Sequence, residues 1–507
     1  MWRRRASLQH NALPLTIALL VLAAWALRAP GLFAGSMHAD EALFATWARL
    51  IGTWRDPLLK AELVDKPPLL FYLQALCYPL LGSAAPWVSR LPNLAASTLV
   101  TPLAARLVWN LYGDWLATVL AATIVTFSPL LVRFSATGFT DPLLAALLLA
   151  ALVVASVGSR SPRTTRQQSG HGALSGKNEG RRGLAMGLLL GLAIATKYQA
   201  VLFVPLQVGI AAMNGARRRT WRKWLAGIAL PLLGVAAWQA ARGVEGSIWT
   251  QQLASFGGLR LSWSWELWPR IEAWAALWST IIGSPVAAFG LLLFTPVFLA
   301  MLIQYQDRTT ALDQLFLLFL LAYGLLHWFV AVPVWDRYLV AAAPLAAVVL
   351  GRFAARVLAF VQPALPLPAR LVAIGLALAL VVMMTPGGVA ARDMASGGER
   401  HPQAAQGAAQ IAADLQQAPY GTVLYDHWYS WYWRYFLLDS GVYVSWFAHP
   451  AALVEDLYVF LDEGETRYVA LPEGEEAAPV VRALRGAGYV LETVTSRAGV
   501  SLYRIGQ

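Results

Sequence analysis

The sequence predicts a polytopic α-helical membrane protein with about eleven spans and a C-terminal α/β domain outside the membrane. Of the 507 residues, 58% are hydrophobic and only 13% are charged. That composition is too apolar for a soluble protein. After Pro386 the composition changes, and five strand-like segments alternate with helix-like ones. We therefore divide the chain into a transmembrane domain, 1–386, and an extracytoplasmic domain, 387–507.

The distribution of charge follows the same division. Of the 39 Lys and Arg residues only 8 lie in the last 121 residues, which hold 14 of the 28 acidic residues. The basic surplus therefore belongs to the membrane part, where loop charge sets orientation, and no nucleic-acid partner is implied. The single cysteine, Cys77, excludes an internal disulfide and most zinc arrangements.

Eleven apolar segments are interpreted as membrane spans. The first follows a basic start, so an uncleaved signal anchor is expected there. The segment 67–81 is left out, because about 15 residues fall short of the ~20 that cross the hydrocarbon core. We expect that segment to be interfacial or re-entrant. The predicted spans are 14–28, 88–108, 115–132, 142–157, 184–197, 199–213, 224–241, 281–303, 312–330, 338–358 and 371–386.

Loop charge predicts the orientation of these spans. The basic N-terminus, the loop 158–183 and the cluster 217–223 fall on one side, which the positive-inside tendency makes cytoplasmic. Eleven crossings then place the C-terminal domain on the other side. We expect a multi-pass protein of the plasma (inner) membrane with a cytoplasmic N-terminus and an extracytoplasmic C-terminal domain.

The first outer loop, 30–87, contains the acidic pair Asp40-Glu41. The pair begins an amphipathic helix, 40–51, which we expect to lie on the membrane surface. Two carboxylates at a helix start form either an N-terminal cap or a functional site. Ionisable groups at the ends of apolar helices are expensive to keep, which favours a functional site. The residues of this kind at the predicted outer ends of the spans and in the outer loops are Asp40, Glu41, Lys66, Arg90, Arg133, Asp141, Lys197, Asp336 and Arg337.

Several of these cations are suited to hold a phosphate group. Lys66 precedes Pro67-Pro68 at a helix start, where binding would depend on its charge because proline lacks an N–H. The alternative for Lys66 is a surface ion pair with Asp65. Lys197 interrupts apolar sequence, which is hard to explain unless it meets an anion or water.

Two aromatic segments leave alternatives open. The loop 242–270 contains Trp249, Trp263, Trp265 and Trp268, which fit an interfacial aromatic belt better than sugar stacking. The segment 426–435 fits a domain core, a membrane-facing surface or a glycan platform. The sequence has no Gly-rich phosphate loop, nucleophile elbow or metal-ligand His/Cys spacing, so nucleotide hydrolysis, serine chemistry and structural zinc are unsupported.

Short motifs, in order along the chain, resemble a known family. The chain is similar to the integral-membrane glycosyltransferases of the protein O-mannosyltransferase and aminoarabinose-transferase kind, which use dolichyl- or undecaprenyl-phosphate sugars and have the GT-C fold. The motifs that carry the resemblance are Asp40-Glu41, Asp65-Lys66-Pro67-Pro68, Ser89-Arg90-Leu91-Pro92, Thr140-Asp141, Ala195-Thr196-Lys197 and Arg337-Tyr338-Leu339.

The resemblance implies transfer of a sugar from a polyprenyl-phosphate carrier to a protein, lipid or glycan acceptor outside the cytoplasm. Asp40 would be the general base of a single, inverting displacement, while Glu41 and Asp141 would orient the acceptor or the base. The lipid phosphate would be held by Lys66, Arg90, Lys197 and Arg337. No cofactor is required; a divalent metal is possible but not indicated.

Two other functions remain open from the residues alone. Charges in membrane spans also mark substrate paths, so the chain could be a transporter or flippase of lipid-linked sugars. It could also be a receptor or assembly protein whose outer domain does the binding.

Overall fold

The computed structural model describes residues 2–33, 37–158, 172–244, 250–251, 260–362, 368–392, 403–460 and 465–506. Helices dominate the part before residue 393. They are α1 (Trp2–Arg28), α2 (Ala39–Gly52), α3 (Leu69–Leu81), α4 (Pro86–Tyr112), α5 (Trp115–Phe127), α6 (Pro129–Arg133), α7 (Asp141–Ser156), α8 (Gly172–Ile194), α9 (Val204–Met213), α10 (Arg218–Arg242), α11 (Ser264–Ser279), α12 (Pro285–Gln304), α13 (Arg308–Phe329), α14 (Ala343–Val361) and α15 (Ala369–Arg392).

Each predicted span overlaps one or two of these helices. In the described part of the chain, seven helices are long and apolar enough to cross a membrane: α1, α4, α10, α12, α13, α14 and α15. The protein is therefore a multi-pass membrane protein, while the count of eleven and the orientation stay predictions. Residues 159–171 of the basic loop and Trp249 lie outside the described residues.

Helix α3 has 13 residues, too few to cross a bilayer of ~30 Å at 1.5 Å per residue. Its length agrees with the exclusion of 67–81 from the spans.

Helices α8 and α10 pack with unusually close backbones. Gly183, Gly187 and Gly191 are spaced four residues apart on α8 and face α10. A Cβ on Gly187 would lie 2.0 Å from the carbonyl oxygen of Trp224, and one on Gly227 would meet α8 in the same way. Small residues at this spacing let membrane helices approach closely enough for extensive van der Waals contact. This contact fixes the end of α8, from which the chain continues to Lys197.

The start of α2 is capped by the side chains of His38 and Glu41, and the side chain of Asp40 takes no part in the cap. The Nδ1 atom of His38 accepts a hydrogen bond from the N–H of Asp40 at 3.0 Å, and the Glu41 carboxylate accepts one from the N–H of His38 at 3.0 Å. This reciprocal arrangement is a capping box. Because Glu41 serves the cap, Asp40 is left to project its carboxylate elsewhere.

Helix α2 packs between α3 and the C-terminal domain, and its location at the membrane surface stays a prediction. Phe44 and Trp47 pack against Phe71 of α3, with ring centroids 5.3 and 4.9 Å apart. Ala42 and Ala45 belong to a second apolar cluster, formed mainly by the C-terminal domain. Small alanines on this face let the domain approach α2, so the helix is buried on both faces.

The C-terminal domain contains one mixed sheet. Its strands, among the described residues, are β1 (Val423–Asp426), β2 (Tyr443–Trp446), β3 (Arg467–Pro472), β4 (Val490–Arg497) and β5 (Val500–Gly506), in the order β2-β1-β3-β5-β4. β1 pairs in parallel with β2 and β3, and β5 pairs antiparallel with β3 and β4. The helices are α16 (Ala404–Leu415), α17 (Ser430–Phe436), α18 (Pro450–Phe460) and α19 (Ala478–Gly486). The predicted small sheet domain is confirmed.

Polar contacts attach this domain to the segment 30–87. Arg49 of α2 donates to the carbonyl oxygen of Tyr435 at 2.6 Å and forms an ion pair with Asp439. The hydroxyl of Tyr435 donates to the carbonyl oxygen of Ala84 at 2.6 Å. These contacts hold α17 above α2, next to the predicted site.

Candidate active site

Five of the seven predicted site residues line one cavity of about 520 Å³. The sequence separates them by up to 297 residues, yet they meet where α2, the start of α3, the turn before α7 and the turn before α14 converge. These five residues are Asp40, Lys66, Asp141, Lys197 and Arg337. Asp40 and Lys66 thus share one cavity, as an enzymatic role for the pair requires.

The cavity charges form three direct carboxylate–cation pairs. Their oxygen-to-nitrogen distances are 2.6 Å for Asp40–Arg337, 2.6 Å for Asp141–Lys197 and 2.7 Å for Asp65–Lys66. The Lys66–Asp65 contact is the ion pair considered as an alternative from the sequence. Both partners line the cavity, so the pair belongs to the site rather than to the outer surface.

Each of the three cations also lies over an aromatic ring. The distances from the cation to the ring centroid are 5.2 Å for Lys66 over Phe44, 4.8 Å for Lys197 over Tyr338, 4.2 Å for Arg337 over Trp335 and 5.1 Å for Arg337 over Phe139. A ring face attracts a cation without occupying an N–H donor. The rings therefore position the cations and leave donors for an anion.

Asp40 is ionised at neutral pH. Burial raises the pKa of its carboxyl group, but the charge of Arg337, assisted by His38 and Lys66, outweighs burial and holds the pKa below the ordinary value for aspartate. Its side chain is 31% exposed, which leaves the carboxylate accessible from the cavity. Asp40 can accept a proton, although its pairing with Arg337 weakens it as a base.

Two buried amides fix the turn that presents Asp141. Asn93 of α4 donates to the carbonyl oxygens of Thr137 and Phe139 at 2.7 and 2.6 Å. Gln74 of α3 donates to the carbonyl oxygen of Gly138 at 3.3 Å. Sequence reasoning missed both residues, although a buried Asn or Gln in an apolar helix needs hydrogen-bond partners and could have been noted.

Lys197 enters the cavity because α8 ends three residues earlier. The Lys197 N–H donates to the carbonyl oxygen of Ala193 at 3.0 Å, and the backbone then extends before a 3-10 turn, Tyr198–Phe203. Gln199 in that turn donates to the carbonyl oxygen of Tyr338 at 3.0 Å. The break in the helix thus connects Lys197 to the segment that carries Arg337.

Glu41 and Arg90 do not line the cavity, so the structure does not bring them together with the other five predicted residues, and their roles stay predictions. Both are buried and form an ion pair, with 3.3 Å between Arg90 Nε and Glu41 Oε1. Glu41 also accepts from the N–H of Gly138, and Arg90 donates to the carbonyl oxygen of Leu32. These contacts join α2, α4 and the turn before α7. In this arrangement the pair connects the elements that carry the site.

The aromatic residues of the two segments singled out in the sequence lie partly in the domain core and partly on the surface. In the segment 426–435, Tyr429, Tyr432, Trp433 and Tyr435 are buried in the domain core, whereas Trp431 lines the cavity. Trp263, Trp265 and Trp268 at the start of α11 are exposed, as an aromatic belt requires. Among the described residues no three His, Cys, Asp or Glu side chains are grouped to hold a metal ion.

Residues 65–239, which contain Lys66, Asp141 and Lys197, match the model of the dolichyl-phosphate-mannose-protein mannosyltransferase family. Over 97–98% of its length the chain also superposes on solved structures of GT-C glycosyltransferases. It has the GT-C fold. The resemblance expected from the sequence motifs is confirmed, and the flippase alternative gains no support.

Three solved GT-C structures illustrate the match. ArnT from Cupriavidus metallidurans bound to undecaprenyl phosphate has a TM-score of 0.64 and 14% identity, over 97% of this chain and 98% of ArnT. The Archaeoglobus fulgidus oligosaccharyltransferase tethered with an acceptor peptide has a TM-score of 0.56 and 12% identity, over 98% of this chain and 74% of that one. AglB from the same organism, in complex with an inhibitory peptide and a dolichol-phosphate, has a TM-score of 0.51 and 12% identity, with the same coverage. No curated protein matches the chain in sequence.

Proposed function

We propose that the protein is a glycosyltransferase that moves a sugar from a polyprenyl-phosphate carrier to an acceptor on the outer face of the membrane. One observation carries the proposal: an ionised carboxylate, Asp40, shares a cavity with three cations, Lys66, Lys197 and Arg337. The carboxylate suits the acceptor hydroxyl, and the cations suit the carrier phosphate. The bound undecaprenyl phosphate of ArnT and dolichol-phosphate of AglB support a polyprenyl-phosphate donor.

The reaction is a single displacement with inversion at the anomeric carbon. The acceptor oxygen forms the new bond to this carbon as the bond from carbon to the phosphate oxygen breaks. Asp40 takes the proton of the acceptor hydroxyl, and the carrier leaves as polyprenyl phosphate. Lys66, Lys197 and Arg337 offset the charge that develops on the phosphate, while Asp141 positions Lys197. These steps require no cofactor.

The Asp40–Arg337 pair couples donor binding to activation of the base. A phosphate group that attracts the guanidinium of Arg337 competes with Asp40 for the same N–H donors. Weakening the Asp40–Arg337 contact removes the largest influence that lowers the pKa of Asp40. Asp40 therefore becomes a stronger base when the donor is in place, which favours a reaction order in which the donor binds before the proton is transferred.

The Arg337→Gln variant tests this coupling through its pH profile. Asp40 must be ionised to act as base, so transfer is lost as pH falls through its pKa. Removing Arg337 raises that pKa, and we expect the acid limb of kcat/KM to move to higher pH. The matched control is Arg133→Gln, because Arg133 pairs with Asp336 at 2.7 Å and does not line the cavity. An unchanged acid limb in Arg337→Gln would argue against the coupling.

The function itself is tested by mass spectrometry of cells with and without the gene. We expect the deletion to remove one sugar from an extracytoplasmic glycoconjugate and to cause the matching polyprenyl-phosphate sugar to accumulate. The wild-type gene should restore both. If instead the lipid-linked sugar only changes leaflet while every glycoconjugate keeps its sugars, the protein is a flippase and the proposal is wrong.

A further inference from the structure

Trp431 joins the C-terminal domain to the cavity. It lies in the first turn of α17, and 39% of its surface is exposed. Among the described residues that line the cavity, Trp431 alone comes from the C-terminal domain. Its neighbours Tyr432 and Trp433 are buried in the core of that domain. The exposure of Trp431 therefore differs from that of the aromatic segment around it.

The cavity rings differ in what covers them. Phe44, Tyr338 and Trp335 each lie under a cavity cation. The cation near Trp431 is Arg434, at 5.8 Å from the ring centroid and on the same helix. Arg434 does not line the cavity. Trp431 thus presents an indole face that is not covered by the phosphate-binding cations.

Arg434, which lies beside the Trp431 ring, is held by a polar network. The guanidinium of Arg434 forms an ion pair with Glu62, a buried residue of the segment 30–87. Glu62 also accepts a hydrogen bond from Trp47 Nε1 at 3.1 Å, and its carbonyl oxygen accepts one from Arg242 at 2.6 Å. Contacts from α2 and α10 therefore hold Glu62, which in turn holds Arg434 beside the Trp431 ring. A ring backed by a held side chain is a suitable surface for stacking, since less conformational freedom is lost on binding.

We propose that Trp431 stacks on a sugar ring of the acceptor, and that the acceptor is a glycan rather than a peptide. The inference rests on the function proposed above. An indole combines a large apolar face with one polar N–H, which matches a pyranose ring with an apolar C–H face and polar edges. The carrier phosphate, with the donor sugar attached to it, is assigned to the cations of the membrane part, and the proposal assigns the face contributed by the C-terminal domain to the acceptor. Trp431 is then a specificity residue that recognises carbohydrate.

Saturation-transfer NMR on the full-length protein in nanodiscs tests the proposal. The probes are the methyl glycosides of glucose, galactose, mannose and N-acetylglucosamine, with a Gly-Ser-Gly peptide as the peptide probe. The variants are Trp431→Ala and Trp431→Phe, which keeps a ring. The matched control is Trp446→Ala, which removes a 60% exposed tryptophan of the same domain that does not line the cavity.

We expect saturation of at least one glycoside in the wild type, in Trp431→Phe and in Trp446→Ala. Trp431→Ala should weaken that signal by about fivefold or more, as loss of an aromatic contact implies. The proposal is overturned if no glycoside is saturated, if the two alanine variants behave alike, or if the peptide gives the Trp431-dependent signal. Thermal stabilisation of each variant by undecaprenyl phosphate is measured in parallel. If undecaprenyl phosphate does not stabilise the wild type, the proposed function is contradicted. If it stabilises the wild type but no glycoside is saturated, the acceptor assignment alone is contradicted.

Discussion

Replacing Asp40 by asparagine lowers the rate of sugar transfer by about 10²–10⁴-fold, the contribution typical of a general base. Asparagine preserves the size of the side chain and can still accept a hydrogen bond from Arg337, but it cannot take the proton of the acceptor hydroxyl. The variant should remain folded, because the cap of α2 uses His38 and Glu41 instead. Transfer is measured with purified protein and its lipid-linked donor, and folding by thermal unfolding.

The matched control is Asp56→Asn in the same segment, 30–87. Asp56 accepts hydrogen bonds from the N–H groups of Lys60 and Ala61 and does not line the cavity. We expect its activity to stay near that of the wild type. Binding of undecaprenyl phosphate should persist in Asp40→Asn, since the cations Lys66, Lys197 and Arg337 are unchanged. Wild-type transfer by Asp40→Asn would remove this carboxylate from the mechanism.

The Arg90→Met variant lowers the free energy of unfolding by about 3–5 kcal/mol, because it leaves a buried carboxylate without its counter-charge. Glu41 is 1% exposed and Arg90 is 4% exposed, so water cannot replace the lost partner. The effect is measured by denaturant titration of the purified protein in mixed micelles. We expect the folded fraction of the variant to transfer sugar at nearly the wild-type rate, since neither residue lines the cavity.

The double variant Glu41→Gln with Arg90→Met separates charge from packing. Neutral glutamine can still accept the hydrogen bond from the N–H of Gly138 that Glu41 accepts, while the uncompensated charge is gone. We expect it to recover a large part of the lost stability. If Arg90→Met instead weakened undecaprenyl phosphate binding and left stability unchanged, the sequence-based role of Arg90 as a phosphate ligand would be right.

Hydropathy made the membrane part predictable. Residues in a membrane must satisfy their backbone hydrogen bonds internally, so each long apolar segment indicates a helix, and the predicted spans overlap helices. The same cost of placing polar groups in lipid makes Lys197 recognisable in the sequence, because a lysine within apolar sequence requires a partner. That partner, Asp141, is itself among the charged residues at the predicted outer ends of the spans. Charged residues in such positions are informative even when their neighbours in space are unknown.

Adjacent residues on one helix could not be distinguished in this way. Asp40 and Glu41 carry the same charge, but successive helical residues point about 100° apart. One carboxylate therefore reaches the cavity and Arg337, while the other meets Arg90 in the protein interior. Likewise, the amphipathic pattern of α2 indicates one apolar face, whereas the alanines on its other face reveal their function only when the C-terminal domain covers them.

The sequence by itself determined a multi-pass helical protein, its small C-terminal sheet domain, and five charged residues of the cavity, because the costs of placing polar groups in lipid apply to each segment separately. Tertiary structure alone decided that Glu41 and Arg90 are buried together, that Asn93 shapes the turn before Asp141, and that Trp431 enters the cavity from the other domain. These outcomes depend on which surfaces meet across hundreds of residues, and neither local spacing nor hydropathy contains that information.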